Sequence, residues 1–75
     1  MAKFLWLYND HIININRVNQ IYLDFRYDEL HKRPHEFKWC FKFDTQIVKS
    51  KTFESGKEAF AWFETHVLPL INETG

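Results

Sequence analysis

Apolar and polar residues alternate along the segment Glu36 to Asp44. Successive side chains of a β-strand point to opposite faces of a sheet, so this alternation predicts a strand with one aromatic face. The aromatic residues at alternate positions are Phe37, Trp39, Phe41 and Phe43. Charged or small residues, including Lys38, Cys40 and Lys42, occupy the positions between them. We therefore expect the four rings to face the core of the protein.

A second alternating segment, Gln20 to Tyr27, precedes the first. Its apolar positions are Ile21, Leu23, Phe25 and Tyr27. The connection of residues 28–35 is charged and contains Pro34, which favours a loop. Two alternating strands on either side of such a loop predict an antiparallel hairpin with a protruding connection.

The beginning of the chain predicts a shorter pair of strands. Lys3 to Tyr8 is apolar on both faces, which is typical of a central strand or of one covered on both sides. After the turn signal Asn9-Asp10, His11 to Ile13 predicts a return strand. Residues 14–19 contain three asparagines between spaced aliphatic residues and predict a bulge or a single helical turn, with Ile15 and Val18 directed inward.

The end of the chain predicts one strand and one helix. Gln46 to Phe53 is expected to be the last strand, with Ile47 or Val48 and then Phe53 facing the core. Ser55 and Glu58 have the spacing of a capping box and predict the start of a helix. The residues Ala59, Phe60, Phe63 and Val67 form its apolar stripe, Trp62 lies at its flank, and Pro69 predicts an end or bend near Val67 to Leu68.

These elements predict a single α+β domain over residues 1–75. We expect a curved antiparallel sheet of four or five strands, either a meander or a small open barrel, packed by one C-terminal helix. A domain of 75 residues is small for independent folding. Its eight Phe, three Tyr and three Trp compensate, because each buried ring removes about 150 to 250 Å² from water.

The composition excludes several classes of protein. The only cysteine is Cys40, so an intramolecular disulfide is impossible, and this favours a cytoplasmic location. No segment approaches the roughly 20 apolar residues of a membrane span, and we expect no membrane partner. With only two glycines and two serines outside known nucleophile motifs, we expect no enzyme activity, no cofactor and no small-molecule substrate.

Three segments carry a resemblance to known proteins. They are Phe4-Leu5-x-Leu7-x-Asn9, Ile13-Asn14-x-x-x-Val18-x-x-Ile21 and Phe53-x-Ser55-x-x-Glu58-Ala59. Together they resemble a loose class of short, largely uncharacterised prokaryotic and phage proteins. The resemblance implies a strand meander closed by a C-terminal helix, and it implies no function or site.

The leading functional hypothesis is an interaction module that binds a protein partner, or a second copy of itself, through an edge strand and exposed aromatic residues. Such a role is compatible with an accessory or inhibitor protein of a phage or mobile element. Large apolar residues exceed what one small core obviously absorbs, and aromatic residues are enriched at interface hot spots. The candidate interface residues are Trp6, Tyr8, Tyr22, Leu30 and Trp62.

The alternative hypothesis is a nucleic-acid-binding domain. Residues 31–51 carry six basic and two acidic side chains, although the whole chain has a formal net charge of zero. Cations that neutralise phosphates, beside a ring that stacks on a base, are typical of such a surface. The basic candidates are Arg26, Lys32, Arg33, Lys38, Lys42, Lys49 and Lys51, with Tyr22 available for stacking.

A metal site is a further hypothesis. His31, His35 and Cys40 are residue types that bind transition metals, but a structural zinc site normally has four ligands. The spacing of His31 and His35 suits a helix, and Pro34 between them argues against one. We therefore expect no metal.

Overall fold

The strands form two separate antiparallel sheets. The computed structural model describes residues 3–7 and 11–72 of the chain. The α+β class with antiparallel strands and a C-terminal helix is confirmed, but the strands do not form the single curved sheet of the prediction. The five strands in the described residues are β1 (Phe4–Trp6) and β2 (Ile12–Asn14), which pair with each other, and β3 (Gln20–Asp28), β4 (Arg33–Lys42) and β5 (Ile47–Lys49), which pair in that order.

The ribbon of β1 and β2 buries one face only. Leu5 lies opposite Ile13, and both side chains are buried. Phe4 and Trp6 lie on the other face and are exposed. The prediction that this strand is central or covered on both sides is therefore wrong, because β2 is its only paired neighbour in the described part of the chain. Tyr8 and the predicted turn Asn9-Asp10 lie outside the described residues.

A single 3-10 turn, Ile15–Arg17, separates the two sheets. The side chain of Asn14 accepts a hydrogen bond from the Asn16 amide at 3.0 Å and so caps this turn. Ile15 is buried and Val18 packs against the core, as predicted. Because the turn redirects the chain after β2, β3 starts a new sheet instead of extending the ribbon.

The hairpin of β3 and β4 is longer than predicted. Its loop is residues 29–32. The expected connection of residues 28–35 was too long, because residue 28 belongs to β3 and residues 33–35 belong to β4. Pro34 lies within β4 opposite Tyr27. Proline is tolerated there because its nitrogen points away from β3, and β5 does not extend to this position.

A bulge in β4 interrupts the hairpin near its middle. Asp24 pairs with Lys38 and Arg26 pairs with His35, so one residue of β3 faces two residues of β4. The extra residue is Glu36, whose φ of 54° lies in the left-handed region. A bulge increases local twist, and this one lies only on β4, so β3 retains regular alternation.

The third strand of the sheet is short. β5 covers three residues, and an isolated bridge between Phe37 and Phe53 continues the pairing beyond it. Val48 packs against the core and Phe53 is buried, whereas Ile47 is exposed. The sequence left open whether Ile47 or Val48 of the last strand faces the core, and the structure shows that Val48 does.

The C-terminal helix covers the aromatic face of β4. Helix α1 (Gly56–His66) begins at Ser55, whose hydroxyl accepts a hydrogen bond from the Glu58 amide at 3.2 Å. The chain bends at Val67 and continues as α2 (Leu68–Asn72), as Pro69 predicts. No helix in the described residues is long and apolar enough to cross a membrane.

Aromatic contacts between α1 and β4 form the centre of the core. The ring of Trp39 stacks on Phe63 with centroids 4.4 Å apart, and it meets Phe60 edge to face at 5.2 Å. Trp62 contacts Phe41 at 6.5 Å. Phe37, Trp39 and Phe41 are buried and Phe43 is half-buried, which confirms the predicted aromatic face.

Candidate functional site

Hydrogen bonds around β4 establish which backbone groups face each neighbouring strand. Phe37 and Phe53 exchange backbone hydrogen bonds at 2.9 and 2.7 Å. On the opposite side of β4, the Lys42 carbonyl accepts from the Asn19 amide at 2.7 Å. Backbone groups of successive strand residues point to alternate sides. Between residues 37 and 42, odd-numbered residues therefore face β5 and even-numbered residues face β3.

The same alternation defines an open edge on β3. Tyr22 pairs with Cys40 and Asp24 with Lys38, so the even-numbered residues of β3 direct their backbone groups toward β4. β3 is the outermost strand of its sheet, and no strand in the described ranges pairs with its other side. The residues whose N–H and C=O groups point to this open edge are Ile21, Leu23, Phe25 and Tyr27.

Large apolar side chains accompany this edge. Phe25 is 51% exposed, Tyr27 is 52% exposed and Leu30, in the hairpin loop, is 83% exposed. The Phe25 ring keeps one contact with the core, since its centroid lies 5.7 Å from that of Phe37. The far half of the hairpin thus presents rings beside unpaired backbone groups.

A mismatch of lengths explains why these rings are exposed. The 11 residues of α1 span about 16 Å, whereas the 10 residues of β4 span about 33 Å. One helix of this length covers only half of the hairpin. In the half beyond the bulge, Tyr27 remains about half exposed.

Opposite charges alternate on the other face of β3. The Arg26 guanidinium lies 3.4 Å from the Glu36 carboxylate, and the Asp24 carboxylate lies 3.9 Å from the Lys49 ammonium. Both pairs are solvent-exposed, and exposed ion pairs contribute little to stability. Asp24 and Arg26 therefore remain available to other charges at the edge.

Asp28 organises the loop at the end of the hairpin. Its carboxylate accepts hydrogen bonds from the amides of Leu30 at 3.0 Å and His31 at 3.2 Å, and it lies 2.6 Å from His31 Nδ1. The hydrogen bond to the His31 side chain is the largest of several causes that hold the pKa of Asp28 below its ordinary value. The carboxylate form of Asp28 is thus part of the loop's folded geometry.

We expect this loop to lose order in acid. A carboxyl whose pKa is lowered in the folded protein stabilises it above the unfolded pKa, and this stabilisation is lost as the pH falls through the folded pKa. NMR titration of the carboxyl carbons should show that His31→Ala raises the pKa of Asp28 toward its ordinary value, because His31 is the main cause of the shift. His35→Ala is the matched control and should raise it less, since His35 contributes least. An unchanged pKa in His31→Ala would contradict this account of the loop.

Cys40 lies on the polar face of β4 and is fully buried. Tyr22 lies directly opposite it, and burial raises the pKa of the Cys40 thiol. A thiol with a raised pKa is a poor nucleophile and a poor metal ligand at neutral pH. Its position therefore assigns it to packing.

The predicted interface residues within the described ranges lie on different elements of the fold. Trp6 is exposed on the ribbon, Leu30 lies in the hairpin loop, and Tyr22 covers Cys40 on the polar face. Trp62 is half-buried and its ring packs against Phe41 and Phe53. The helix presents that ring to the core because Trp62 lies on the side that faces β4.

The predicted basic surface is interrupted by acidic partners. Arg26 and Lys49 lie beside carboxylates, and Lys38 pairs across the strands with Asp24. Lys51 lies 5.2 Å above the Phe53 ring. Lys32 and Arg33 lie at the hairpin loop, and Lys42 at the opposite end of β4. This mixture of signs does not favour recognition of a phosphate backbone.

The three candidate metal ligands are spread along the hairpin. Cys40 lies opposite Tyr22 and His35 opposite Arg26, four residues further along β3, which corresponds to about 13 Å. His31 contacts Asp28 in the loop. Among the described residues there is no group of three His, Cys, Asp or Glu side chains arranged to hold a metal ion.

One depression of about 590 Å³ lies near the loop between β4 and β5. Asn19 Nδ2 donates to Asp44 Oδ1 at 2.6 Å beside it. Its lining is exposed and polar apart from the half-buried Phe43. Ligand pockets are usually concave and mostly apolar, so this depression does not favour a small-molecule site.

Phe25 and Tyr27 are the site residues that sequence reasoning missed. The alternation of β3 assigned both to the core face, and that assignment of faces is retained in the structure, since Phe25 contacts Phe37. The sequence prediction missed only that the two side chains on this face remain about half exposed. The signal in the sequence is the single short helix, which is too short for two long strands.

Comparisons of this chain with protein-family models, curated proteins and solved structures find no match.

Proposed function

We propose that this protein is a small non-catalytic interaction module that binds a protein partner through the open edge of β3. The observation that carries the proposal is the row of outward backbone groups at residues 21, 23, 25 and 27 on an outermost strand. An extended segment of a partner can pair with such a row and add a strand to the sheet. The exposed rings of Phe25 and Tyr27 supply apolar contacts beside it.

The proposed setting is the cytoplasm. The single cysteine, Cys40, is a buried free thiol, which suits a reducing compartment. A role as an accessory or inhibitor protein of a phage or mobile element is part of the proposal. It is supported by the resemblance described above.

Proline substitution at the edge tests the proposal. Tyr27→Pro removes an outward N–H that β4 does not use, so it should block strand addition while preserving the hairpin. We expect affinity capture from the native cell to recover a protein partner with the wild type, and about tenfold less of it with Tyr27→Pro. Circular dichroism checks that the variant is folded.

The other edge of the same sheet provides the matched control. Ile47 on β5 also directs its amide away from β4, so Ile47→Pro changes the opposite edge and should leave capture unchanged. Equal capture by wild type and Tyr27→Pro, or a loss only in Ile47→Pro, would reject the β3 edge as the binding site. Loss of the captured proteins on nuclease treatment would favour nucleic acid instead.

A further inference from the structure

The geometry of β3 limits how two copies of this chain can pair edge to edge. In an antiparallel pair related by a two-fold axis, if residue i lies opposite residue j, then j also lies opposite i. The outward backbone groups of β3 belong to its odd-numbered residues. Odd-numbered residues must therefore lie opposite odd-numbered residues, which leaves a few registers to compare.

Charge distinguishes the registers centred on residues 23 to 26. A pair centred on Tyr27 would also place Arg26 opposite Asp28, but the Asp28 carboxylate is already engaged by the Leu30 and His31 amides and by the His31 side chain. A pair centred on Asp24 places this carboxylate against its own copy, and a pair centred on Arg26 does the same for the guanidinium. A pair centred on Leu23 brings no opposite charges together. A pair centred on Phe25 places Asp24 opposite Arg26 of the second copy and Arg26 opposite Asp24 of the second copy. Opposite charges that face each other across two strands stabilise the pair, and like charges destabilise it.

The same register is complementary on the aromatic face. Phe25 lies opposite Phe25 of the second copy, and Leu23 lies opposite Tyr27 of the second copy. Aromatic pairs and pairs of aromatic with aliphatic residues are favourable cross-strand neighbours. This arrangement covers apolar surface of Phe25 and Tyr27 that is exposed in the single chain.

We infer that the partner at this edge is a second copy of the chain, paired antiparallel with β3 about a two-fold axis at Phe25. The inference depends on the proposed function and specifies its partner. The two three-stranded sheets then form one continuous six-stranded sheet. Two symmetry-related pairs of Asp24 with Arg26 set its register, and no strand edge remains open at β3.

Charge reversal provides the test, because two defective variants should complement each other. Asp24→Arg places arginine opposite Arg26 of the second copy, and Arg26→Asp places aspartate opposite Asp24 of the second copy. We expect each reversal to weaken the homodimer by about tenfold or more. An equimolar mixture should recover a heterodimer, since every charged position then faces its opposite. Sedimentation measures the assembly, and native mass spectrometry distinguishes the heterodimer by mass.

Glu64→Lys is the control for charge reversal in general. Glu64 is exposed in the second half of α1, about 12 Å along the helix from Gly56, the helix residue that lies against Phe37, so the variant should dimerise like the wild type. The inference is overturned if the wild type remains a monomer at about 1 mM, or if either reversal dimerises as tightly as the wild type. It is also overturned if the mixture yields no heterodimer. If a foreign protein is captured in a manner that depends on Tyr27 while the wild type stays monomeric, the inference fails and the proposed function stands.

Discussion

Replacing Phe41 or Trp39 by alanine is expected to lower the free energy of unfolding by about 3 to 5 kcal/mol. Phe41 is fully buried against Trp62, and Trp39 stacks on Phe63 while its indole nitrogen donates to the Ala59 carbonyl at 2.9 Å. Each truncation removes a ring from the single layer that joins α1 to β4. A loss of this size is comparable to the whole stability of a domain with 75 residues. Urea unfolding followed by tryptophan fluorescence measures it for Phe41→Ala, and circular dichroism measures it for Trp39→Ala.

The neighbouring Lys38 provides the control on the same strand. Its side chain lies on the opposite face of β4, so Lys38→Ala should change the free energy of unfolding by about 0.5 kcal/mol or less. If Lys38→Ala were more destabilising than Phe41→Ala, the assignment of faces in β4 would be reversed.

Removing the hydroxyl of Ser50 is expected to cost about 1 to 3 kcal/mol, although the side chain is small. Ser50 is buried, and its Oγ accepts from the Trp39 amide at 2.9 Å and donates to the Lys51 carbonyl at 2.9 Å. In a regular antiparallel ladder a backbone carbonyl would accept from the Trp39 amide. The hydroxyl replaces that carbonyl where β5 ends, so Ser50→Ala leaves the Trp39 amide without its acceptor in the core.

Ser55→Ala separates this effect from the loss of an ordinary hydroxyl. Ser55 also accepts one amide hydrogen bond, but it does so at the solvent-exposed start of α1, where loss of a cap costs about 1 kcal/mol. Chemical denaturation should rank Ser50→Ala as the less stable variant. A Ser50→Ala protein as stable as the wild type would mean that the Trp39 amide finds another acceptor.

The best sequence prediction concerned β4 and α1. Alternation of aromatic residues identified the buried face of β4, and the spacing of Ser55 and Glu58 identified the start of α1. Both signals are local, because side-chain direction in a strand and hydrogen bonding at a helix start depend on residues close in sequence. The bend at Val67 followed from Pro69 for the same reason.

The errors occurred where residues distant in sequence compete. Charged residues and Pro34 indicated a long loop. In the structure, Pro34 pairs with Tyr27 and Arg33 pairs with Asp28, and this cross-strand pairing extends both strands into the predicted loop. Spacing alone placed Trp62 at the flank of the apolar stripe, and in the structure its half-buried ring packs against Phe41 and Phe53. A local sequence pattern does not predict which distant residues will contact these positions.

The candidate site shows the same division. Alternation assigned Phe25 and Tyr27 to the correct face of β3 but gave no information on which part of that face α1 covers. The open edge itself depends on strand order, which is a property of the assembled sheet.

By itself, the sequence determined the α+β class, the aromatic face of β4 and the boundaries of α1, because these depend on periodicity and on short-range hydrogen bonds. Only the tertiary structure decided that the strands divide into two sheets, that Glu36 forms a bulge and that β3 is an open edge. Strand pairing joins residues that are far apart in the chain, and its register depends on which alternative buries more apolar surface in the assembled fold.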